Sequence, residues 1–127
     1  MNVLIDSFGW IEYFGEGPLA GKCAKYIEKA NQREYFTPSI VIYEVYKKIK
    51  KEKSEEKALE ACAYILAYTS IVYLTEKIAL EAAEISLKKG LSMADAIIKA
   101  TAELKNAEVI TGDPHFKGLE NVEFLGE

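Results

Sequence analysis

The chain begins Met1-Asn2-Val3-Leu4-Ile5-Asp6-Ser7, and the apolar run inside this segment, with the acid that follows it, decides the fold. An uninterrupted apolar run of this kind is typical of a strand that is buried on both faces, as in parallel sheets. Ser7 is a suitable N-cap for a helix through Trp10-Ile11-Glu12-Tyr13-Phe14. Asp6 is therefore predicted at the junction between a strand and a helix.

Short apolar segments and helical patterns alternate along the rest of the chain. Further strands are predicted at 35–37, 71–74, 108–110 and, at a sheet edge, 122–125, and further helices at 18–31, 38–53, 54–68, 75–89 and 92–105. Gly90 stands where a left-handed residue commonly ends a helix. This alternation predicts an α/β fold in which three layers, α/β/α, surround a short, mainly parallel sheet. Residues 1–127 are predicted to form a single domain.

Composition narrows the classes of protein. A chain of 127 residues with 50% hydrophobic residues suits one domain, and it contains no apolar run of the roughly 20 residues that a membrane helix needs. With no basic stretch before Asp6, we expect a cytoplasmic, unprocessed protein. Cys23 and Cys62 are expected to be free core thiols. The net charge of −4 argues against nucleic-acid binding by charge alone, but it does not exclude a nuclease whose acids bind metal.

Four acidic residues lie where apolar runs end or apolar-faced helices begin: Asp6, Glu44, Asp95 and Asp113. Ligands of parallel α/β sheets bind beyond the carboxyl ends of the strands, and the predicted topology places all four acids on that side. Two carboxylates ~4 Å apart repel by roughly 4 kcal/mol near a protein surface. If the four converge, the charge of a bound divalent metal would offset this repulsion and explain why the acids lie together.

Each acid also has a purely structural interpretation. Asp95, three residues after Ser92, fits a capping box, although its neighbours on the helix are apolar. Glu44 fits an ion pair with Lys47 or Lys48. Asp6 and Asp113 fit turn residues. Only their joint placement at one sheet edge favours a functional site.

Other chemistries lack the residues that they need. The chain has no GxxxxGK[ST] or GxGxxG motif, and Phe8 stands where an aspartyl phosphatase would carry its second aspartate. His115 is the only histidine, which argues against a histidine-based zinc site or a Ser/His/Asp triad. We interpret it as a surface loop residue. Ligands that are all oxygen favour Mg²⁺ or Mn²⁺.

Four segments in this order resemble the motifs of PIN-domain proteins of the VapC toxin type. They are 3–7 with 10–14, 39–45, 91–102 and 110–116, that is VLIDS with WIEYF, SIVIYEV, LSMADAIIKATA and ITGDPHF. The resemblance implies a metal-dependent ribonuclease that hydrolyses RNA phosphodiester bonds. By this resemblance Asp6, Glu44, Asp95 and Asp113 are the catalytic acids and Mg²⁺ or Mn²⁺ ligands. Ser7 and Thr111 assist through hydrogen bonds, a small antitoxin is the partner, and the chain forms a homodimer.

Some alternatives stay open at the level of the sequence. Three candidates for RNA contact begin one helical turn beyond Glu44: Lys47, Lys48 and Lys51. Their position at a solvent-exposed helix end explains these lysines equally well. The chain is alternatively a non-catalytic binding partner or homodimer, or a stand-alone RNA-processing nuclease. Intact acids at all four positions favour catalysis.

Overall fold

A computed structural model of the chain describes residues 1–126, in which five strands alternate with six α-helices. The strands are β1 (Asn2–Ile5), β2 (Phe36–Pro38), β3 (Ser70–Val72), β4 (Ala107–Thr111) and β5 (Val122–Phe124). The helices are α1 (Ser7–Phe14), α2 (Ala20–Ile27), α3 (Ser39–Glu52), α4 (Glu55–Tyr68), α5 (Glu76–Lys89) and α6 (Met93–Leu104). A 3-10 turn, Pro114–Phe116, follows β4.

All pairs of strands are parallel. β4 lies between β1 and β5, β2 pairs with β3, and a bridge between Val3 and Tyr35 joins the two groups. The strands therefore follow one another in the order β3, β2, β1, β4, β5. Ile5 of β1 stands opposite Ile110 of β4, so the residues that follow these two strands emerge side by side at the carboxyl edge.

The core has the burial pattern that is typical of a parallel sheet. The ends of β1 and β4 that meet at the carboxyl edge are buried and apolar, since helices cover both faces of the sheet. Trp10 of α1 is fully buried, and its indole N–H donates to the carbonyl of Ile5 at 3.1 Å. A second apolar cluster lies between α5 and α6. The predicted α/β class with a short parallel sheet is confirmed.

The start of α1 differs from the prediction. Asp6, not Ser7, is the N-cap, because its carboxylate accepts the backbone N–H of Gly9 at 3.0 Å. The Ser7 hydroxyl donates to a carboxylate oxygen of Glu44 instead. The prediction that Ser7 caps this helix is therefore wrong.

Two predicted elements are shorter than expected. The helix predicted at 18–31 spans only Ala20–Ile27. Beyond it the chain continues in tighter turns, in which the carbonyls of Tyr26 and Ile27 accept the N–H groups of Lys29 and Ala30 as well as hydroxyls of tyrosines outside the helix. The strand predicted at 71–74 is Ser70–Val72, because its partner β2 offers only three residues and ends at Pro38. Residues beyond Val72 are exposed rather than paired.

Other expectations agree with the structure. Cys23 and Cys62 are buried free thiols, and Gly90 adopts a left-handed conformation with φ 71° after α5. Over residues 1–126, every helix is too short or too polar to cross a lipid bilayer.

Candidate active site

The four predicted acids come from four different elements. Asp6 follows β1 and caps α1, Glu44 lies in the second turn of α3, Asp95 is the third residue of α6, and Asp113 follows β4. These positions are spread over more than 100 residues of sequence. Parallel strand order and the packing of α3 and α6 at the carboxyl edge bring them to one region of the surface.

A single hydroxyl connects two of the acids. Thr111 Oγ1 donates to Asp6 Oδ2 at 2.6 Å and accepts the backbone N–H of Asp113 at 2.9 Å. The contact with Asp6 follows from the register of β1 and β4, which places Thr111 beside Asp6, whereas the contact with Asp113 is local, two residues further along the chain. Thr111 is fully buried, so its hydroxyl holds both residues in one orientation.

Within residues 1–126, no basic side chain lies within hydrogen-bonding distance of the buried Asp6 carboxylate. Its side chain is 3% exposed, and burial raises its pKa from 3.8 to about 7. The hydrogen bonds from Thr111 and Gly9 lower the pKa, whereas the charges of Asp113 and Asp95 raise it again. Asp6 therefore holds its charge at neutral pH only at a considerable cost.

Asp95, Asp113 and His115 form the tightest cluster. One ligand atom from each lies within 4.8 Å of the others. Burial raises the pKa of Asp95, and the charge of Asp113 raises it further. Ser92 caps α6 by accepting the backbone N–H of Asp95, as the capping interpretation predicted, but the carboxylate also faces its acidic neighbour.

His115 is exposed, as the sequence predicted, but it has a specific partner. Its backbone N–H donates to Asp113 Oδ1 at 2.9 Å, and its ring Nδ1 lies 2.7 Å from the same oxygen. The hydrogen bond to Asp113 raises the pKa of the imidazole. His115 therefore belongs to the acidic site and supplies it with a positive charge when protonated.

Glu44 joins the cluster through Ser7. The Ser7 hydroxyl donates to Glu44 Oε1, and the Glu44 charge raises the pKa of Asp95. The predicted ion pair of Glu44 with Lys47 or Lys48 is absent from the described chain. Lys47 Nζ donates to the Tyr43 hydroxyl, and Lys48 Nζ pairs with Glu52 at 2.7 Å. Nothing in α3 therefore neutralises Glu44.

The donor set fits a divalent cation. Two acids, Asp6 and Asp95, have raised pKa values because of burial and mutual repulsion, and a bound cation would relieve both. Carboxylate oxygens are the ligands that hard divalent cations prefer. The histidine nitrogen in the tightest cluster is a ligand suited to transition metals.

The three predicted lysines lie beside the acids. Lys47, Lys48 and Lys51 line a shallow groove of about 300 Å³ on α3. The groove also includes Ser7, Ile11, Tyr43 and Glu44. It therefore begins at the acidic site and runs along the lysine-rich face of α3.

Two glycines support the site and were not singled out from the sequence. Gly9 offers the amide that caps Asp6, and a Cβ there would stand 2.6 Å from a side-chain carbon of Ile5. Gly112 lies under Phe8, so a Cβ there would stand 2.5 Å from that ring.

The positions of the aspartates were a further signal of the site in the sequence. The chain has three aspartates, and all of them lie in this site: Asp6, Asp95 and Asp113.

The fold and the site together define a class of protein. It is a parallel α/β domain that carries a candidate metal site at the carboxyl ends of its central strands. Comparison with protein families specifies the class further. The PIN domain family matches residues 3–122, so the chain belongs to the PIN-domain family. No curated protein shows significant sequence similarity to the chain.

Solved structures share this fold over nearly the whole chain. A chain of a toxin–antitoxin complex from Klebsiella pneumoniae is 25% identical, with a TM-score of 0.79 over 99% of both chains. VapC20 from Mycobacterium tuberculosis, described as a sarcin-ricin loop cleaving toxin, is 16% identical, with a TM-score of 0.78 over 94% of this chain and 95% of that one. DNA-bound VapBC from Salmonella typhimurium is 15% identical, with a TM-score of 0.73 over 98% of both chains.

Proposed function

We propose that this chain is a metal-dependent endoribonuclease that hydrolyses phosphodiester bonds of RNA. The observation that carries the proposal is the hydrogen-bonded connection Asp6–Thr111–Asp113, with Asp95 and Glu44 acting on the same charge cluster. Buried acids with raised pKa values cost stability, so their retention at one edge of the sheet favours function. VapC20, which has the same fold, is described as a sarcin-ricin loop cleaving toxin.

The acids would hold Mg²⁺ or Mn²⁺. Asp6, Asp95 and Asp113 are the proposed ligands, and Glu44 is either a ligand or the group that orients the attacking water. When bound, such a cation supplies positive charge to the phosphate and makes a water molecule more acidic. His115, which is paired with Asp113, would orient that carboxylate toward the cation.

Hydrogen bonds between side chains orient the acids for the reaction. Thr111 fixes the carboxylate of Asp6 and the backbone of Asp113, and Ser7 fixes Glu44. The oxygen of water bonds to phosphorus while the bond from phosphorus to the leaving oxygen breaks. Where Glu44 orients the water, its carboxylate accepts the proton that the water loses; where Glu44 is a ligand, solvent accepts that proton. The leaving oxygen takes up a proton from solvent. No side chain of the enzyme forms a covalent bond with the substrate.

Calorimetric titration with Mn²⁺, followed by an RNA cleavage assay on the same samples, tests this proposal. We expect Asp95→Asn to lower Mn²⁺ affinity at least about tenfold, a loss comparable with that for a disturbed metal ligand, and to abolish metal-stimulated cleavage. Glu60→Gln on α4 is the control, because it removes the same charge from an exposed position. It should leave both measurements unchanged.

Either of two results would count against the proposal. Cleavage by Asp95→Asn at the wild-type rate would remove Asp95 from the catalytic site. Equal Mn²⁺ affinity in wild type and Asp95→Asn would remove it from the metal site. Circular dichroism and thermal unfolding of both variants establish that any loss is not caused by misfolding.

The proposed biological role is that of a toxin that a small antitoxin holds inactive in the cytoplasm. Support comes from the structures with the same fold, which include toxin–antitoxin complexes from Klebsiella pneumoniae and Salmonella typhimurium. Expression of the chain alone should slow growth of a host cell, and co-expression with the protein encoded beside its gene should restore growth. Growth arrest that no neighbouring product relieves would favour the alternative of a stand-alone nuclease.

We further propose that the chain forms a homodimer through α5. Leu80 and Leu87 lie two helical turns apart on its outer face, and Leu87 is 83% exposed. Two antiparallel α5 helices would place the acidic first turn of each beside Lys88 and Lys89 of the other. Leu87→Lys should then convert a dimer into a monomer in light scattering. Leu59→Lys, at an exposed leucine of α4, is the control.

A further inference from the structure

We propose that Tyr43 is a stacking platform for an RNA base that has left the base stack beside the scissile phosphate. The inference rests on the ribonuclease function proposed above and adds a nucleotide-binding residue to it. Tyr43 directly precedes Glu44, and both line the groove that begins at the acidic site. An aromatic ring can lie against a base only where that face of the base has no stacked neighbour, as in single strands, loops and ends, so a base bound there must be unstacked.

Tyr43 is available for this contact. It is 60% exposed although it is a large aromatic residue next to a half-buried acid. Lys47 Nζ lies 3.2 Å from its hydroxyl and 5.4 Å from its ring centroid. The ammonium is thus nearer to the hydroxyl than to the centre of the ring, so it lies beyond the hydroxyl edge. The flat surface of the ring remains open to a ligand.

The groove around Tyr43 combines the two features that single-stranded nucleic acids require. Ile11 and the Tyr43 ring form its apolar part, and Lys47, Lys48 and Lys51 add positive charges to its lining, of which that of Lys48 is paired with Glu52. Aromatic rings stack with any base, and lysines attract the phosphates that join successive nucleotides. A nucleotide with its base on Tyr43 would direct the adjoining backbone toward Glu44.

The same features favour RNA over a protein segment as the occupant. An acidic peptide would be attracted by the lysines but repelled by Glu44 and the aspartates at the end of the groove. A basic peptide would be attracted by the acids but repelled by the lysines. A nucleic acid separates its neutral bases from its charged phosphates, and it reaches the acids with the phosphate that a bound cation neutralises.

Stacking can be measured independently of cleavage. The probe is a single-stranded RNA oligonucleotide of mixed sequence with the fluorescent base 2-aminopurine at one position, bound to the Asp95→Asn protein. Fluorescence of 2-aminopurine falls when the base stacks. We expect quenching at one position of the oligonucleotide, and we expect Tyr43→Leu in the same background to remove it and to weaken binding at least about fivefold.

Two substitutions serve as controls. Tyr43→Phe keeps the ring and loses only the hydroxyl bonded to Lys47, so quenching should remain. Tyr68→Leu removes another exposed tyrosine, at the end of α4 that leads into the amino end of β3, and should have no effect. The same RNA annealed to its complement should bind without the dependence on Tyr43.

The outcomes separate this inference from the proposed function. Quenching that depends on Tyr43, without metal-stimulated cleavage by the wild-type protein, would support the platform and contradict the nuclease. Cleavage with unchanged affinity and quenching in Tyr43→Leu would overturn the platform alone. If Tyr43→Leu weakens binding to the antitoxin but not to RNA, the ring is a protein contact and the inference is wrong.

Discussion

At the scale of single residues, the site opposes the stability of the fold. Asp6 is buried among apolar residues and lies near two further acids, so its pKa is raised to about 7. Thr111 and Gly9 offset part of this cost with hydrogen bonds to the carboxylate. An arrangement that is unfavourable for the metal-free protein is expected where a cation binds.

Asp6→Asn should stabilise the metal-free protein at high pH. The folded protein binds a proton at Asp6 between pH values of about 3.8 and 7, whereas the unfolded chain does not, so wild-type stability falls as the pH rises through this range. A shift of this size corresponds to at most about 4 kcal/mol in the free energy of unfolding. Asn is also a good N-cap and can still accept the N–H of Gly9. Urea unfolding at pH 4 and pH 8 measures the difference.

The variant should match wild type at pH 4 and exceed it at pH 8. Saturating Mn²⁺ should reverse the order at pH 8, because a ligand stabilises only the protein that binds it. Glu60→Gln should follow wild type throughout. A variant that is equally destabilised at both pH values would show that the buried charge costs less than its hydrogen bonds contribute.

At the scale of elements, the site depends on close contact between α1 and the end of β4. Gly112 follows β4, and a Cβ at this position would stand 2.5 Å from the Phe8 ring and 2.9 Å from a methyl carbon of Leu19. The absence of a side chain at Gly112 lets α1 pack directly against the segment between Thr111 and Asp113. This contact holds the two strand ends, and therefore their acids, together.

Gly112→Ala should destabilise the protein by about 1–3 kcal/mol, because the half-buried side chains of Phe8 and Leu19 must move to admit a methyl group. The matched control is Gly21→Ala in α2, where a Cβ meets nothing within 4 Å. It should raise stability by about 0.5–1 kcal/mol, since alanine is the better helix former. Thermal unfolding of both variants measures the effect. Equal stability of Gly112→Ala and wild type would show that α1 can shift without cost.

At the scale of the whole molecule, charge is separated rather than balanced. The net charge is −4, yet Lys47, Lys48 and Lys51 lie together beside the acidic site. The lysines would attract RNA, and the acids with their cation would act on its phosphate. Overall charge therefore says little about whether such a protein binds nucleic acid.

Replacing Lys47, Lys48 and Lys51 by Gln should reduce the salt dependence of RNA binding. Each lost phosphate contact lowers the slope of log affinity against log salt by about 0.7 for a single strand, so the slope should fall by up to about 2. Lys25, Lys29 and Lys57, which are exposed and lie outside α3 and α5, offer a triple variant with the same change in net charge. Fluorescence anisotropy over a range of salt concentrations compares the two. Equal slopes would identify the α3 lysines as a solvated helix end.

Much of the architecture was predictable because it depends on local patterns. Apolar runs predicted β1 and β4, capping residues predicted the starts of α4, α5 and α6, and Gly90 predicted the end of α5. The alternation of strands and helices predicted the parallel sheet, and the parallel sheet placed four acids on one side. These inferences need only neighbouring residues and a general rule of topology.

Tertiary contacts decided what local patterns left open. Whether Ser7 capped α1 or bonded Glu44 depended on a residue 37 positions away, and α2 ended where distant tyrosine hydroxyls met its carbonyls. The pairing of His115 with Asp113 and the burial of Asp6 likewise belong to the folded chain. The sequence by itself determined which acids could meet. The fold determined their hydrogen bonds and pKa values, because burial and electrostatic coupling exist only once distant segments pack together.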